Sequence, residues 1–222
     1  LHIGHAYTTI LADVLNRFYK ITGNESYMLT GSDEHGQKVQ EAANNRGVSP
    51  IDHVNKYVLN FTQLWSKLNI QYDDFIRTTE DRHKNRVGDM LNNLWKRGEI
   101  YLDEYEGSYS VSEERFITDK EIKEGNFKQI IKLKEKNYFF KMSKYQKKLI
   151  RHIKDNPDFI KPKSRKNEIL SFLKKPLNDL CISRPKNRLE WGIEIPFDHN
   201  YVTYVWFDAL LNYITGIEWD NN

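Results

Sequence analysis

Ser26-Tyr27-Met28-Leu29-Thr30 is short, apolar at its centre and followed at once by Gly31-Ser32-Asp33-Glu34-His35-Gly36. It reads as a buried strand that runs into a polar loop. Upstream, Ile10, Leu11, Val14, Leu15 and Phe18 recur at helical spacing between Ala6 and Lys20, and Gly23 is placed to end that helix. Downstream, a second helix runs from about Gln37 to near Gly47. Ser49-Pro50 then supplies the cap and first turn of a third, with Val54, Val58, Phe61, Trp65 and Leu68 along one face. Phe75-Ile76 is a second strand candidate, and Val87, Met90, Leu91, Leu94 and Trp95 mark a fourth helix before Gly98. Helices alternating with short apolar strands predict an α/β fold built on a parallel sheet.

The pattern changes after Gly98. Tyr101 to Phe116 alternates aromatic with polar residues and Gln129 to Lys134 alternates apolar with basic, as small antiparallel strands do. Helices follow around Leu149, Ile150 and Ile153, and around Ile169, Leu170, Phe172 and Leu173. Near Ile193 a strand pattern resumes, and Tyr201 to Val205 leads into a helix from about Asp208. The economical division is a Rossmann-like domain of residues 1–98 and 179–222, interrupted by an inserted α+β module over 99–178. Both ends look cut from something longer.

Composition narrows the class. The chain has 222 residues, 39% hydrophobic and 29% charged, which suits a soluble globular protein with a full core. Its 13% aromatic content argues against disorder. No run of about 18 apolar residues is present to span a membrane, and no export leader is visible. Cys181 is the single cysteine, so neither an internal disulfide nor a cysteine zinc cluster can form within these residues. These features suit the cytoplasm. A net charge of +3, from 34 basic and 31 acidic residues, is too balanced to announce a nucleic-acid binder.

Three sets of residues could carry chemistry. His2-Ile3-Gly4-His5 sits where a first strand would hand over to the first helix, the ligand-binding end of an open parallel sheet. A helix start offers free N–H groups to phosphate, glycine admits close approach, and the two imidazoles could donate to phosphate oxygens that gain charge in a transition state. A metal pair or two ordinary histidines would fit the same four residues. Asp33, just past a strand end, could hold a ligand ammonium group or cap the next helix; grouped with His2, His5 and His35 it also permits a metal-hydrolase picture. Trp206 and Tyr213 stand seven residues apart, two helical turns, so both rings could face one pocket or one core.

Together these segments resemble the methionyl-tRNA synthetase family, the methionine branch of the class I aminoacyl-tRNA synthetases of the HIGH superfamily. His2-Ile3-Gly4-His5-Ala6-Tyr7-Thr8-Thr9 is similar to its first signature, and Leu29 to Lys38 resembles its methionine-type strand end. Phe75-Ile76-Arg77-Thr78-Thr79 with His83-Lys84, Ile182-Ser183-Arg184-Pro185 with Trp191-Gly192-Ile193, and Tyr204 to Ala209 add further matches in order. The resemblance implies an ATP-dependent methionine–tRNA ligase that makes methionyl-adenylate and pyrophosphate and then charges tRNA(Met), with neither DNA nor membrane as partner. It implies that His2, Gly4 and His5 bind ATP, the histidines being catalytic, and that Asp33, Trp206 and Tyr213 bind methionine. It assigns Arg184 and Asp208 site-orienting roles, and Mg2+ accompanies ATP. Another class I synthetase or nucleotidyltransferase, and an RNA-binding relative without catalysis, are the competing readings.

The chain departs from the family pattern in places. Many relatives carry a cysteine-ligated zinc knuckle in the insertion, but here Ser110 and Glu113 stand at expected cysteine positions, so no structural zinc is predicted and no residue is named as a metal ligand. Lys141-Met142-Ser143-Lys144-Tyr145 nearly spells the second signature, KMSKS, yet it lies inside the insertion and leads into an amphipathic helix. Ser143 is expected to cap that helix and Lys141 and Lys144 to take no part in chemistry. The second signature and an anticodon-binding domain are then expected beyond residue 222. Lys161, Lys163, Arg165 and Lys166 form a basic cluster that could meet a tRNA acceptor stem or simply face solvent.

Overall fold

A computed structural model describes residues 2–110, 115–117, 119–125, 127 and 129–217, which fall into two compact units: residues 1–92 with 184–222, and residues 93–183. Glu113 and the closing residues 218–222 lie outside the described residues.

The first unit opens with helix α1 (Ile3–Ile21), followed by strand β1 (Leu29–Ser32), helices α2 (Gln37–Asn44) and α3 (Pro50–Lys67), strand β2 (Asp74–Arg77) and helix α4 (Asp81–Lys96). β1 and β2 pair in parallel, Leu29 opposite Asp74 through Ser32 opposite Arg77, which establishes the α/β class. Ser49 caps α3 as its sequence predicts, accepting from the Asp52 N–H at 3.2 Å, with Pro50 in the first turn. Trp65 of α3 meets Met28 and Ile70 in the core, and Phe61, Leu64, Tyr72 and Phe75 pack around them.

One expectation needs correcting here. β1 begins three residues later than the apolar run and continues into Gly31-Ser32, because parallel pairing uses the backbone whatever the side chain. A Cβ on Gly31 would run into the Ile76 carbonyl oxygen, so glycine permits that approach. The apolar stripe of α1 is largely exposed. Val14 and Phe18 are 54% and 57% exposed, whereas Asp13 on the polar face is 6% exposed. α1 is held through that polar face: Asp13 accepts the Gln71 N–H at 3.0 Å and pairs with Arg17 at 2.8 Å, and Lys20 meets Asp73 at 2.9 Å. Asp73 in turn accepts the Met28 N–H at 2.7 Å; that hydrogen bond and the Lys20 ammonium hold its carboxyl below the usual range.

The second unit is an antiparallel sheet with helices. β3 (Ile100–Ser110) pairs along its full length with β5 (Ile130–Phe140), β4 (Arg115–Ile117) adds to the far end of β3, and β6 (Leu180–Cys181) to β5. α5 (Asp119–Glu124), α6 (Gln146–Asp155) and α7 (Lys163–Phe172) complete it. Ser110 is fully buried in β3 and Cys181 partly buried in β6. Ser143 does not cap α6, whose N-cap is Tyr145. Its hydroxyl donates instead to Asp179 at 2.5 Å, and the Tyr101 hydroxyl donates to the other oxygen at 3.0 Å. Burial, then this anion, pushes the Tyr101 phenol up to about 12. Lys141 donates to the Gly98 carbonyl at 2.8 Å and Lys144 meets Glu99 at 3.4 Å. In the basic cluster, Lys161 and Arg165 pair with Asp158 and Glu168.

The chain then returns to the first unit through β7 (Ser183–Pro185), β8 (Glu194–Ile195) and β9 (Asp198–Thr203), with β9 central in a three-stranded sheet, and through the short helices α8 (Val205–Leu210) and α9 (Asn212–Thr215). Among the described residues no helix is long and apolar enough to cross a membrane.

A buried ion pair locks the ends of β1 and β2. Glu34, 1% exposed, accepts from Arg77 Nε at 2.7 Å and Nη2 at 3.0 Å, from Ser32 at 2.6 Å and from the Thr79 hydroxyl. Arg77→Ala would strand that carboxylate. We expect a loss of about 3–5 kcal/mol in urea unfolding of the intact protein, as for other broken buried pairs.

Candidate active site

His2 is the N-cap of α1. Its Nδ1 accepts the Gly4 N–H at 3.1 Å, and His5 Nδ1 accepts the His2 N–H at 3.2 Å, a reciprocal capping box. The two rings lie 3.8 Å apart, and His5 meets the edge of Phe61 at 5.5 Å. Because each δ nitrogen accepts a backbone N–H, each neutral imidazole carries its proton on Nε2. Burial, then the neighbouring His2, lowers the His5 pKa from its ordinary value and favours this neutral donor form. A Cβ on Gly4 would stand 2.9 Å from the His2 ring, so the glycine makes room for the capping imidazole itself.

Asp33 lies in the loop after β1. It does not cap α2, whose N-cap is Gly36. Its Oδ1 accepts from Asn212 Nδ2 at 3.1 Å. Although Asp33 is open to solvent, enough protein surrounds it that desolvation, then the charge of Asp208, raises its carboxyl above the ordinary value; Asn212 opposes the shift.

A cavity of about 310 Å³ opens beside this carboxylate. Leu29, Gly31 and Ile76 line its strand side, and Trp206, Ala209 and Tyr213 its helix side. That volume is at the small end of the roughly 300–1,000 Å³ of ligand pockets. Trp206 and Tyr213 are not on one continuous helix, since α8 ends at Leu210 and α9 begins at Asn212. Both rings nevertheless reach the same cavity, and at 56% and 72% exposure they are not core residues. His2 and His5 are not among its lining residues.

Asp208 is fully buried in α8. Its Oδ2 lies 2.6 Å from His35 Nδ1 and its Oδ1 2.7 Å from His83 Nε2. Burial works against the ionised form, but the two hydrogen bonds outweigh it and hold the Asp208 carboxyl below its usual range. Arg184 is buried in β7 with its guanidinium 4.5 Å from the Tyr204 ring centre, and Tyr204 is the N-cap of α8. His35 is therefore engaged by Asp208 and is not gathered with His2, His5 and Asp33, as the metal-hydrolase picture requires. Among the described residues no group of three or more His, Cys, Asp or Glu is placed to hold a metal ion.

Asn212 and the pairing of His83 were not found by sequence reasoning. Asn212 had a faint signal, a polar residue between two pocket aromatics. His83 had none, because its partner lies 125 residues away.

A parallel α/β unit with a histidine-capped first helix, interrupted in sequence by an antiparallel module, is the pattern of the class I tRNA synthetases. The chain belongs to the family of tRNA synthetases class I (M), whose model matches residues 1–126 and 124–221. It is 50% identical to the methionine–tRNA ligase of Fusobacterium nucleatum over 226 residues, covering 100% of this chain and 35% of that protein. The Clostridium perfringens enzyme of the same name is 48% identical over 98% of this chain and 34% of its own length. The chain thus spans about a third of the length of these curated relatives. Mycobacterium tuberculosis methionyl-tRNA synthetase bound by methionyl-adenylate superimposes with a TM-score of 0.91 at 38% identity, over 100% of this chain and 45% of that one. Its apo form gives a TM-score of 0.80 at 35% identity, over 99% and 43%.

The Asp208 hydrogen bonds have a pH signature. A carboxyl whose pKa is depressed on folding contributes stability above its unfolded value of about 3.9, and loses it as pH falls through the lower folded value. Asp208→Asn should therefore destabilise the protein at neutral pH and flatten the acid limb of its stability curve, as measured by urea unfolding from pH 7 downward.

Proposed function

We propose that the protein is a methionine–tRNA ligase, activating L-methionine with ATP to methionyl-adenylate and pyrophosphate and then transferring methionyl to tRNA(Met). One observation carries this reading: Asp33, Trp206 and Tyr213 meet on one cavity beside the parallel pair. A carboxylate for an ammonium group and an aromatic enclosure for a thioether are what methionine requires. Close relatives named for this activity, and a neighbour bound by methionyl-adenylate, support it.

In this reading a carboxylate oxygen of methionine attacks the α-phosphorus of ATP, and the bond from that phosphorus to the oxygen bridging toward the β-phosphate breaks, releasing pyrophosphate. The Nε2–H groups of His2 and His5 donate to phosphate oxygens as negative charge builds in the transition state. Gly4 lets ATP approach the helix start. A terminal ribose hydroxyl of the tRNA then attacks the adenylate carbonyl and loses its proton, and AMP departs. Asp33 holds the amino group, while Arg184 and Asp208 orient the α8 wall. Mg2+ would accompany ATP and neutralise charge on its phosphates, with none of the described residues assigned as its ligand, and no structural zinc is assigned. The unit formed by residues 1–92 and 184–222 takes the catalytic role and residues 93–183 the acceptor-side role, in the cytoplasm.

The test is amino-acid-dependent ATP–pyrophosphate exchange by the intact gene product, with leucine, isoleucine, valine and cysteine beside methionine. Exchange with methionine alone is expected; exchange with a different amino acid, or none from folded intact protein, overturns the assignment. His5→Ala should lower the exchange rate by about 2–4 kcal/mol in activation with methionine affinity little changed.

A further inference from the structure

We infer that His35 and His83 are positioning residues for methionine, acting through Asp208 to keep the aromatic wall of the cavity in register with the Asp33 carboxylate. The inference rests on the reading that this cavity takes methionine. Neither histidine lines the cavity, so neither is assigned contact with substrate.

The aromatic wall has little stability of its own. α8 has 6 residues and α9 has 4, and the Tyr204 N-cap gives α8 no side-chain hydrogen bond. Helices this short form only when something outside them holds them. Two polar anchors do so, four residues apart, one on each helix. Asp208 reaches His35, and Asn212 reaches Asp33, so residues 208 and 212 of the wall grip residues 35 and 33 of the loop. His83, in the first turn of α4, takes the second oxygen of Asp208 and ties the same wall to the segment that follows β2. One carboxylate, fully withdrawn from water, thus joins three stretches of chain, two of which, the Asp33 loop and α8, supply lining residues of the cavity.

The chemistry of the donors is specific. An ionised Asp208 only accepts, so His35 must present Nδ1–H and His83 must present Nε2–H. In neutral His83 this leaves Nδ1 as a bare acceptor, and that atom is buried without a hydrogen-bond partner. An uncharged lone pair tolerates such a place better than a second, unpaired N–H of an imidazolium would. The role therefore reduces to one directed donor from each ring. Glutamine at 83 can place an amide N–H near the lost Nε2, and asparagine at 35 can do the same for Nδ1.

The experiment measures methionine KM, ATP KM and kcat for pyrophosphate exchange by the intact gene product and its His83→Gln, His83→Leu, His35→Asn and His35→Leu variants. Thermal unfolding is recorded alongside. Removing a donor should raise the methionine KM by about ten-fold or more, the equivalent of one buried hydrogen bond. The ATP KM should stay within about two-fold, a change of under 0.5 kcal/mol. The amide variants should recover most of the methionine KM. Equal methionine KM values for amide and leucine variants at both positions overturn the inference, as does a loss that falls on ATP and methionine alike. If His83→Leu does not fold, the His35 pair and His83→Gln decide it on the same criteria. A parent protein without methionine-dependent exchange overturns the functional reading itself, and this inference with it; an active parent whose variants are all unaffected overturns the positioning role alone.

Discussion

A carboxylate buried at the ends of two strands is costly unless every oxygen is matched, and Glu34 imposes that constraint on this fold. Arg77 binds it through two nitrogens, Ser32 and the Thr79 hydroxyl fill the remaining lone pairs, and its own N–H donates to Thr78 at 2.9 Å. These partners come from both strands and from the turn that follows β2. The pairing therefore does more than hold two strands parallel. It sets where the loop of Asp33 and His35 emerges on one side and where α4, with His83, begins on the other. The Trp191 indole donates to the Glu34 carbonyl at 2.5 Å, so the returning part of the chain is attached to the same point.

The site then divides its work between two kinds of surface. The cavity wall is mostly apolar. Behind it, polar groups are hidden and directional: Asp208 between two imidazoles and Arg184 over the cap of α8, while Asn212 in the wall itself donates to Asp33. Asp33 alone is both in the cavity and charged. Desolvation, then the charge of the neighbouring Asp208, raises its pKa. The start of α1 follows a different logic. There the histidines satisfy the helix's own N–H groups with their δ nitrogens and keep their ε nitrogens as donors.

α1 is attached to its unit through its polar face. The spacing of Ile10, Leu11, Val14, Leu15 and Phe18 correctly implies a helix with an apolar face. In the structure the opposite face carries the attachment, because Asp13, Arg17 and Lys20 find partners in residues 69–73. Periodicity reports that two faces differ, and nothing in it says which one a given unit will cover. Ser143 was misjudged for a related reason. A serine before a helix is a sound cap by local rules, yet Asp179, 36 residues on, offers it a charged acceptor.

Much of the fold was legible locally. The alternation of helices and strands, the Ser49-Pro50 start of α3 and the switch to antiparallel strands after Gly98 all follow from spacing and turn chemistry, which act over a few residues, whereas spacing left Trp206 and Tyr213 open between a pocket and a core. The family followed from short motifs in a fixed order. What the sequence could not show was which buried polar groups meet, since His83 and Asp208 are 125 residues apart and Asn212 and Asp33 are 179 apart. Propensity and periodicity carry no information across such distances. The partners of a buried charge are chosen by the packing of the whole unit, where the penalty for leaving any of them unmatched is collected at once, and so only the tertiary structure decided them.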